Sequence, residues 1–441
     1  MRKNTIILLL LLPYLNTEAQ NPILPAGNYL ADPSAKVWDD GRLYLYGSRD
    51  VSTEYYCSHD HFVVSTDDMV NWSIHNDAFH SRGAKDQVPY NDKTLYAPDC
   101  QYFDGTYFLY YSQPYEEAPE GVAVSSSPTG PFQSGKAIDL KGYNQIDPSV
   151  FVDDDGQAYY LWGQFTLKMA RLNKDRMSID GESLKDSLLT ESAHYFHEGA
   201  YLTKRKDTYY LVYADISRAG RPTSLGYATS KSVFGPYEYG GVIIDNDHCD
   251  GEVWNNHGSI VEFKNQWYVF YHRSSHGSNM MRRSCVEPIY FKPDGSIPEV
   301  EMTSQGAGSP LSAFESIEAE RACLLYGNAF FRLGDGQDEE LAGIHDGDQA
   351  AYRYIDFGDG EATKIELNVT PGDSAGSIIV HVDKPWHRKI AEIEIPARRG
   401  QEKRITVSAQ LEDVSGVHEL WLTLQGEKAP GYTIDSFVFR Q

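Results

Sequence analysis

Three acidic residues occupy the same position in a repeated sequence pattern. Asp32, Asp147 and Glu198 each lie nine residues before a polar turn residue, with a short apolar segment before the turn and an aromatic segment after it. If the repeats are equivalent units around one axis, equal register places the three carboxyl groups at one height and directs them to one point. Because like charges repel, such a cluster is typical of sites that transfer protons.

The pattern occurs five times and predicts a β-propeller. Each unit has an apolar strand, a turn and an aromatic strand, and the turn residues lie at positions 41, 105, 156, 207 and 265, a spacing of 51 to 64 residues. A period of this length, with three or four short strands per unit, is the signature of a propeller. A two-sheet sandwich is the alternative, and the regular period argues against it.

Other residues near the same register extend the candidate pocket. Tyr96 and Asn256 hold the equivalent position in the second and fifth units, and His257 follows directly. Trp162, on the aromatic strand of the third unit, is a further candidate for contact with substrate. Two carboxyl groups, a helper acid and an aromatic platform are what cleavage of a glycosidic bond requires.

Each acid would have a distinct task in such a reaction. One carboxylic acid protonates the leaving oxygen, a carboxylate activates water, and the third group orients the acid and keeps it protonated by repulsion. Asp32 and Asp147 each precede a proline, so either alone could be a turn at the start of a strand. His257 alone could be a core histidine. The register shared by three acids favours the catalytic interpretation.

Composition excludes several classes of partner. The chain has 441 residues, a formal net charge of −24 and 13% aromatic residues, with a pI near 4.9 and a mean hydropathy of −0.48. The acidic balance argues against nucleic acid and anionic membranes as partners. Five cysteines are too few for a disulfide framework, and no Cys/His spacing suggests zinc.

Residues 1–19 are typical of a cleavable export signal. Arg2 and Lys3 precede the apolar segment 6–12, and small residues lead to a cleavage site after Ala19. The apolar segment is shorter than the ~20 residues that a membrane span needs. No cysteine lies near the cleavage site, which argues against a lipoprotein. The sequence therefore predicts a secreted or periplasmic protein that does not insert into a membrane.

The sequence divides into two predicted domains. Residues 20–303 contain the repeats, and a Gly/Ser/Pro-rich linker covers 304–313. Residues 314–441 lack the repeat and show alternating apolar segments, which predict a separate antiparallel β-sandwich. The expected fold class is all-β, with a five-bladed propeller followed by a jelly-roll sandwich.

The repeat motifs resemble a known family. ADPSA, YAPDC, IDPSVFVDDDG, FHEGA and NHGSIVEF are similar to motifs of glycoside hydrolase family 43, five-bladed propellers that hydrolyse plant and related polysaccharides. The resemblance covers residues 21–300. It implies that Asp32 is the general base, Glu198 the general acid and Asp147 the modulator that orients the acid, with inversion at the anomeric carbon. Tyr96 stands where the family commonly has a tryptophan.

The same resemblance suggests further site residues. His257 matches an axial histidine near a channel ion, which can be calcium, and Arg282 and Arg283 both match an arginine that approaches the modulator. A related group of fructan and sucrose hydrolases, which act with retention, is disfavoured because its NDPNG motif is absent.

The C-terminal segment has its own resemblance. SIEAERA, DGDQAAYRYIDFGDG and YTIDSFVF resemble family 6 carbohydrate-binding modules. By that resemblance Glu318, Glu320 and Asp435 hold a structural calcium, and oxygen donors from the two ends of the domain suit such a cation. A purely structural sandwich that supports the propeller is the alternative.

The sequence thus predicts an exported, monomeric glycosidase that acts on a polysaccharide or oligosaccharide and needs no cofactor for its chemistry. An exo-acting, inverting α-L-arabinofuranosidase is the preferred activity. Alternatives within the family are a β-xylosidase, a galactofuranosidase and a galactan-trimming enzyme, and the tyrosine at position 96 disfavours a standard β-1,4-xylosidase. A non-catalytic sugar-binding propeller is the alternative of another class.

Overall fold

The computed structural model describes residues 20–114, 120–218, 220–250, 252–334, 338–400, 404–426 and 431–441. The predicted export signal at 1–19 lies outside the described residues.

The described part of the N-terminal region forms five antiparallel sheets. The first contains β1 (Leu30–Val37), β2 (Leu43–Arg49), β3 (Asp60–Thr66) and β4 (Trp72–His80). The second contains β5 (Tyr96–Phe103), β6 (Thr106–Ser112), β7 (Gly121–Ser125) and β8 (Gln133–Ala137). The third contains β9 (Ser149–Val152), β10 (Ala158–Trp162) and β11 (Lys168–Arg171). The fourth contains β12 (Phe196–Arg205), β13 (Thr208–Asp215), β14 (Ser224–Ser230) and β15 (Glu238–Asp245). The fifth contains β16 (Ser259–Phe263), β17 (Gln266–Ser275) and β18 (Ser278–Ile289).

The first strand of each sheet lies at a central axis. Strands β1, β5, β9, β12 and β16 contact one another in succession, and β16 returns to β1. The second strands are near-continuous apolar runs such as LYLYGSR in β2 and TYYLVYAD in β13, and both are buried along almost their whole length. A strand buried on both faces needs such a run, because neighbouring sheets cover each side of it. This ring of sheets is the arrangement of a β-propeller.

The C-terminal region packs two sheets, each with six strands among the described residues. One contains β19 (Leu311–Ser312), β21 (Leu324–Tyr326), β24 (Gln349–Asp356), β26 (Gly376–Val382), β27 (Arg388–Ile395) and β29 (Val417–Gly426). The other contains β20 (Ile317–Glu318), β22 (Phe330–Leu333), β23 (Glu339–Ala342), β25 (Lys364–Thr370), β28 (Ile405–Gln410) and β30 (Thr433–Arg440). Residues alternate between buried and partly exposed along β25, as expected where one sheet face covers a core.

Helical structure in the described residues is limited to four short segments. They are α1 (Glu191–His194) and three 3₁₀ turns, Gly83–Lys85, Gly181–Ser183 and Ala319–Arg321. The predicted all-β class with two β domains is confirmed. Within the same residues, no helix has the length and apolar character that crossing a membrane requires.

The two domains share a hydrophobic core. Val253, Cys285 and Met302 from the propeller side pack in one cluster with Leu324 and Trp421 of the sandwich. Backbone hydrogen bonds also cross between the domains, from Leu325 to His248 and from Gln305 to Arg353. The sandwich is therefore packed against the propeller rather than joined to it only by the linker.

Candidate active site

Breaks in strand pairing direct the three acids out of their sheets. The register between β1 and β2 shifts between Ala31 and Ser34, on either side of Asp32, and the register between β12 and β13 shifts on both sides of Glu198. Asp32 and Asp147 have left-handed backbone, with φ of 55° and 61°. A bulge re-aims a side chain, and left-handed backbone is uncommon for residues other than glycine. The Asp-Pro dipeptides are thus turns at strand starts that also present carboxyl groups.

The three acids meet in one pocket of about 480 Å³. The exposed fraction is 4% for Asp32, 5% for Asp147 and 5% for Glu198. Carboxyl groups so well shielded from water interact strongly with their neighbours. The other residues that line the pocket are Tyr56, Tyr96, Pro114, Ile146, Gln164, Phe165, His197, Trp254, Asn255, His257 and Arg282.

Asp32 is held by an arginine and a serine. Its Oδ1 accepts a hydrogen bond from Arg282 Nη1 at 2.7 Å, and its Oδ2 accepts one from Ser48 at 2.6 Å. Asp50 in turn accepts hydrogen bonds from Arg282 Nε and Nη2, each at 2.9 Å. The guanidinium therefore has little conformational freedom.

These neighbours fix the charge of Asp32. Burial alone would raise the pKa of Asp32, but the charge of the Arg282 guanidinium, together with the Ser48 hydroxyl, outweighs it and lowers the pKa to about 2. Asp32 is therefore ionised at neutral pH.

Glu198 is oriented by two side-chain amides. Gln164 donates to its Oε2 at 2.7 Å, and Asn255 donates to its Oε1. Neither amide was predicted from the sequence. Each lies close in sequence to a predicted residue, since Asn255 directly precedes Asn256 and Gln164 follows Trp162 by two residues.

His272 connects the surroundings of Asp32 to those of Glu198. Its Nδ1 accepts a hydrogen bond from the Asp32 backbone N–H at 3.1 Å, which leaves Nε2 to donate to the Asn255 carbonyl at 2.6 Å. Burial lowers the pKa of His272 to about 3, so the ring is neutral and keeps this tautomer. The histidine was not predicted from the sequence.

Asp147 and Asp32 share a histidine neighbour. Its Oδ2 is 3.8 Å from His257 Nδ1, which is also 3.7 Å from Asp32 Oδ1. Burial, followed by the negative charges of Glu198 and Asp32, raises the pKa of Asp147 well above its usual range. Burial also lowers the pKa of His257, so this ring adds no positive charge.

The site thus separates its acids by charge state. Asp32 stays ionised, whereas burial and the charges of Glu198 and Asp32 keep a proton on Asp147 at pH values where Asp32 has lost its own. A site with one carboxylate and one retained acid proton can activate water and protonate a leaving oxygen.

Aromatic rings form the wall of the pocket. Tyr56, Tyr96, Phe165 and Trp254 line it, and the Phe165 side chain is 52% exposed. His197 supports two of them, with ring centroids 5.3 Å from Phe165 and 6.5 Å from Trp254. Such rings offer apolar faces for sugar rings, as predicted for Tyr96. The other three carry no signal in the repeat, because they lie on loops between strands.

Three predicted substrate-binding residues lie elsewhere. Trp162 is fully buried and donates to the Tyr143 carbonyl at 2.6 Å, because β10 is covered on both faces. Asn256 is also fully buried, since the left-handed backbone of Asn255, with φ of 45°, shifts the pocket-facing position by one residue. Arg283 points away from the pocket and contacts the sandwich domain. The structure does not bring these three residues to the pocket, and Arg282 is the arginine that reaches it.

The predicted calcium ligands do not form a metal site. Among the residues that the structure describes, no group of three or more His, Cys, Asp or Glu side chains could hold a metal ion. Asp435 pairs with Arg404 at 2.7 Å, and burial raises the pKa of Glu320 to about 7, which disfavours the ionised ligand. Glu318 accepts a hydrogen bond from the Ser316 hydroxyl. His257 faces the pocket acids.

The inner strands carry a buried cation of their own. Lys36 on β1 pairs with Asp99 on β5 at 2.9 Å, and its ammonium lies 4.7 Å from the centroid of the Tyr201 ring on β12. Both Lys36 and Asp99 are buried. Three inner strands are thereby joined through one ammonium group.

Comparison with known proteins places this site in context. A xylosidase/arabinosidase from Thermoclostridium stercorarium is 29% identical over 487 residues, covering 92% of this chain and 96% of the relative. The crystal structure of a family 43 arabinoxylan arabinofuranohydrolase from Bacillus subtilis, in complex with cellotetraose, is 26% identical with a TM-score of 0.55, covering 96% of this chain and 99% of the other.

A third similar protein is a family 43 β-xylosidase/α-arabinofuranosidase from a compost microbial metagenome. Its structure with xylotriose, in a calcium-free form, is 29% identical with a TM-score of 0.56 and covers 65% of this chain and 98% of the other. The chemistry of the family needs no cofactor.

Family profiles match both domains. The profile described as carbohydrate binding module (family 6) matches residues 327–441, and the one described as glycosyl hydrolases family 43 matches residues 19–297. Both resemblances drawn from the motifs are confirmed, and the protein is a glycosidase with a carbohydrate substrate. The chain belongs to family 43 of the glycosyl hydrolases.

Proposed function

We propose that the protein is an exo-acting, inverting α-L-arabinofuranosidase that removes terminal pentofuranosyl groups from plant-type polysaccharides or oligosaccharides. The observation that carries the proposal is the pocket that brings three buried carboxyl groups together, with Asp32 held ionised and the pKa of Asp147 raised well above its usual range. The arabinoxylan arabinofuranohydrolase and the β-xylosidase/α-arabinofuranosidase described above support the substrate class.

The proposed reaction assigns one task to each acid. Asp32 accepts a proton from water as the water oxygen attacks the anomeric carbon, and Glu198 donates a proton to the glycosidic oxygen as the bond to that carbon breaks. Arg282 keeps Asp32 ionised, and Gln164 and Asn255 hold Glu198 in place. Asp147 is the modulator, because repulsion between its carboxyl group and that of Glu198 disfavours ionisation of both groups together.

The dimensions of the pocket support exo action. A volume of about 480 Å³ lies in the lower part of the ~300–1,000 Å³ range of small-molecule sites. The pocket is closed on several sides by Tyr56, Phe165 and Trp254. It suits a terminal sugar ring and part of the next one.

Hydrolysis of a panel of aryl glycosides tests the activity. We expect the highest kcat/KM with nitrophenyl α-L-arabinofuranoside, and β-L-arabinofuranose as the first product seen by NMR, since one displacement inverts the anomeric carbon. The α-anomer as first product would contradict inversion. Sugar affinity without hydrolysis of any aryl glycoside or polysaccharide would support the alternative of a non-catalytic binding protein.

A β-xylosidase is the second candidate. The β-xylosidase/α-arabinofuranosidase described above was solved in complex with xylotriose, and its match covers 65% of this chain. Nitrophenyl β-D-xyloside belongs in the same panel, with the β-D-galactofuranoside as a third arm. A kcat/KM for the xyloside above that for the arabinofuranoside would replace the first proposal with the second.

Export and a monomeric state are part of the proposal. The N-terminal sequence supports removal of residues 1–19. Mass spectrometry of the protein secreted by a bacterial host should give a chain that begins at Gln20, and its mass in solution should match one copy. Retention of residues 1–19 in the mature protein would contradict the export signal.

A further inference from the structure

A buried carboxylate of the sandwich domain lies at the interface with the propeller. Glu339 is 1% exposed. Its Oε1 accepts a hydrogen bond from the Tyr29 hydroxyl at 2.8 Å, and its Oε2 accepts one from Arg283 Nη1 at 2.6 Å. The Arg283 guanidinium also lies over the ring of Phe331, 4.6 Å from its centroid. One carboxylate of the sandwich thus joins two separate segments of the propeller.

Both of those segments lead directly to the active site. Tyr29 lies three residues before Asp32, and Arg283 follows Arg282 on β18. Successive side chains of a strand point to opposite faces, so Arg282 reaches the pocket while Arg283 reaches the sandwich. The two segments also meet beside the site, where the Ser284 hydroxyl donates to the Leu30 carbonyl at 2.6 Å.

The sandwich holds the same hairpin at a second point. Asp250 accepts a hydrogen bond from the backbone N–H of Gly277, in the turn between β17 and β18, and another from the N–H of Phe331 in the sandwich. This hairpin supplies two partners of Asp32, because His272 lies on β17 and Arg282 on β18. Contacts with the sandwich therefore fix both the middle and the tip of the element that surrounds Asp32.

We propose that Glu339 is a positioning residue of the active site, which holds Arg282 against Asp32 by binding Arg283 and Tyr29. The inference rests on the proposed role of Asp32 as the base. It makes the sandwich a structural part of the catalytic machinery, whether or not this domain also binds sugar. Glu339 itself does not touch the reacting atoms, so its removal should alter the geometry and the charge of Asp32 without removing any substrate contact.

Other charged groups also act on the two carboxylates. Glu339 is faced by Tyr29, Arg283, His276, Glu320 and Arg321. The titratable groups that face Asp32 or share its pocket are Arg282, His272, His257, His61, Asp50, Asp147, Glu198, Tyr56, Tyr96, His197 and Cys57.

The test compares two neighbouring glutamates of β23. Glu339→Gln removes the charge that binds Arg283. Glu340→Gln is the matched control, since the side-chain partners of Glu340 in the described part of the chain are Arg332 and Thr433 of the sandwich. We expect Glu339→Gln to lower kcat about 10-fold with little change in KM, because the base is displaced from the attacking water. We expect Glu340→Gln to leave kcat unchanged.

The pH profile separates positioning from a general loss of stability. A looser contact with Arg282 lets burial raise the pKa of Asp32, so the acidic limb of kcat/KM should move up by about 1 pH unit in Glu339→Gln. A smaller folded fraction would lower kcat/KM by the same factor at every pH and would leave the acidic limb at the same pH. Tyr29→Phe, which removes a single hydrogen bond to Glu339, should move the limb in the same direction by less, and it serves if Glu339→Gln does not fold.

Asp32→Asn distinguishes failure of this inference from failure of the proposed function. If Asp32→Asn keeps its activity, the role of Asp32 as base is wrong. If Asp32→Asn is inactive while Glu339→Gln and Tyr29→Phe match Glu340→Gln in kcat and in the acidic limb, the positioning role of Glu339 is wrong. A shifted acidic limb in Glu339→Gln, together with an inactive Asp32→Asn, supports both the base role of Asp32 and the positioning role of Glu339.

Discussion

The balance of charges at the pocket explains why its acids differ in protonation state. Arg282 is shared between Asp32 and Asp50, so one guanidinium faces two carboxylates. His257 and His272 are neutral because burial lowers the pKa of both rings. No further cation lines the pocket among the described residues. Ionising both remaining acids would add two uncompensated charges, and retention of one proton avoids this.

Glu198→Gln tests the proposed acid. We expect kcat to fall by about 10²–10⁴-fold for natural oligosaccharides, whose leaving group needs protonation. Nitrophenyl glycosides should lose much less, because nitrophenolate leaves without a proton. Gln164 and Asn255 can still bond a glutamine, so the fold should be preserved. Parallel kinetics on both substrate types check this, and equal losses would remove Glu198 from the acid role.

Asp147→Asn tests the proposed modulator. The pKa of Asp147 is raised well above its usual range by burial and by the charges of Glu198 and Asp32, so the two neighbouring acids hold their last proton to high pH. Without the second carboxyl group, that proton is lost at lower pH, and the basic limb of kcat/KM should move down. A melting curve provides the control, since a purely structural Asp147 would lower the melting temperature and leave the basic limb in place.

At the scale of strands, bulges near the starts of the inner strands direct side chains at equivalent positions into one pocket. Equal spacing from the turns correctly brought Asp32, Asp147 and Glu198 into one pocket, because the same break in pairing recurs in several units. In the fifth unit equal spacing predicts Asn256, but Asn255 lines the pocket instead, because its left-handed backbone shifts the position by one residue. A pattern of residue types records the period of a fold but not the φ angles at its irregular positions.

Loops and domain contacts were the other limit of prediction. Tyr56 and Trp254 come from connections whose paths depend on the assembled propeller. Arg282 and Arg283 are indistinguishable by type, and only the position of the sandwich shows that one faces the pocket and the other faces Glu339.

The variant Gly199→Ala tests whether the bulge that follows Glu198 is needed for activity. Its φ is +66°, and a Cβ atom there would lie 2.7–2.8 Å from atoms of the His257 ring. Gly199→Ala must therefore move His257 or the bulge, and we expect kcat to fall about 10-fold or more with a loss of roughly 1–3 kcal/mol in stability. The matched control is Gly41→Ala, which has a similar φ of +76° but open space around it. Equal kcat for the two variants would contradict a role for this contact.

At the scale of the molecule, the shared core makes the two domains energetically dependent. Leu324 and Trp421 of the sandwich pack with Val253 and Met302 in one buried cluster. The five cysteines are all free and buried, so covalent cross-links do not contribute to this stability. Separation of the domains would expose apolar surface on both and would release the hairpin that Glu339 holds.

We therefore expect the two domains to unfold together. Leu367 lies in the core of the sandwich, away from the propeller, and is fully buried. Leu367→Ala should cost about 2–5 kcal/mol, and it should lower the temperature at which hydrolytic activity is lost as well as the melting temperature. Calorimetry should show one transition in the parent protein, coincident with the loss of activity. Activity that persists in Leu367→Ala above the temperature at which the sandwich melts would show that the propeller is stable by itself, and the shared core would then not couple the domains.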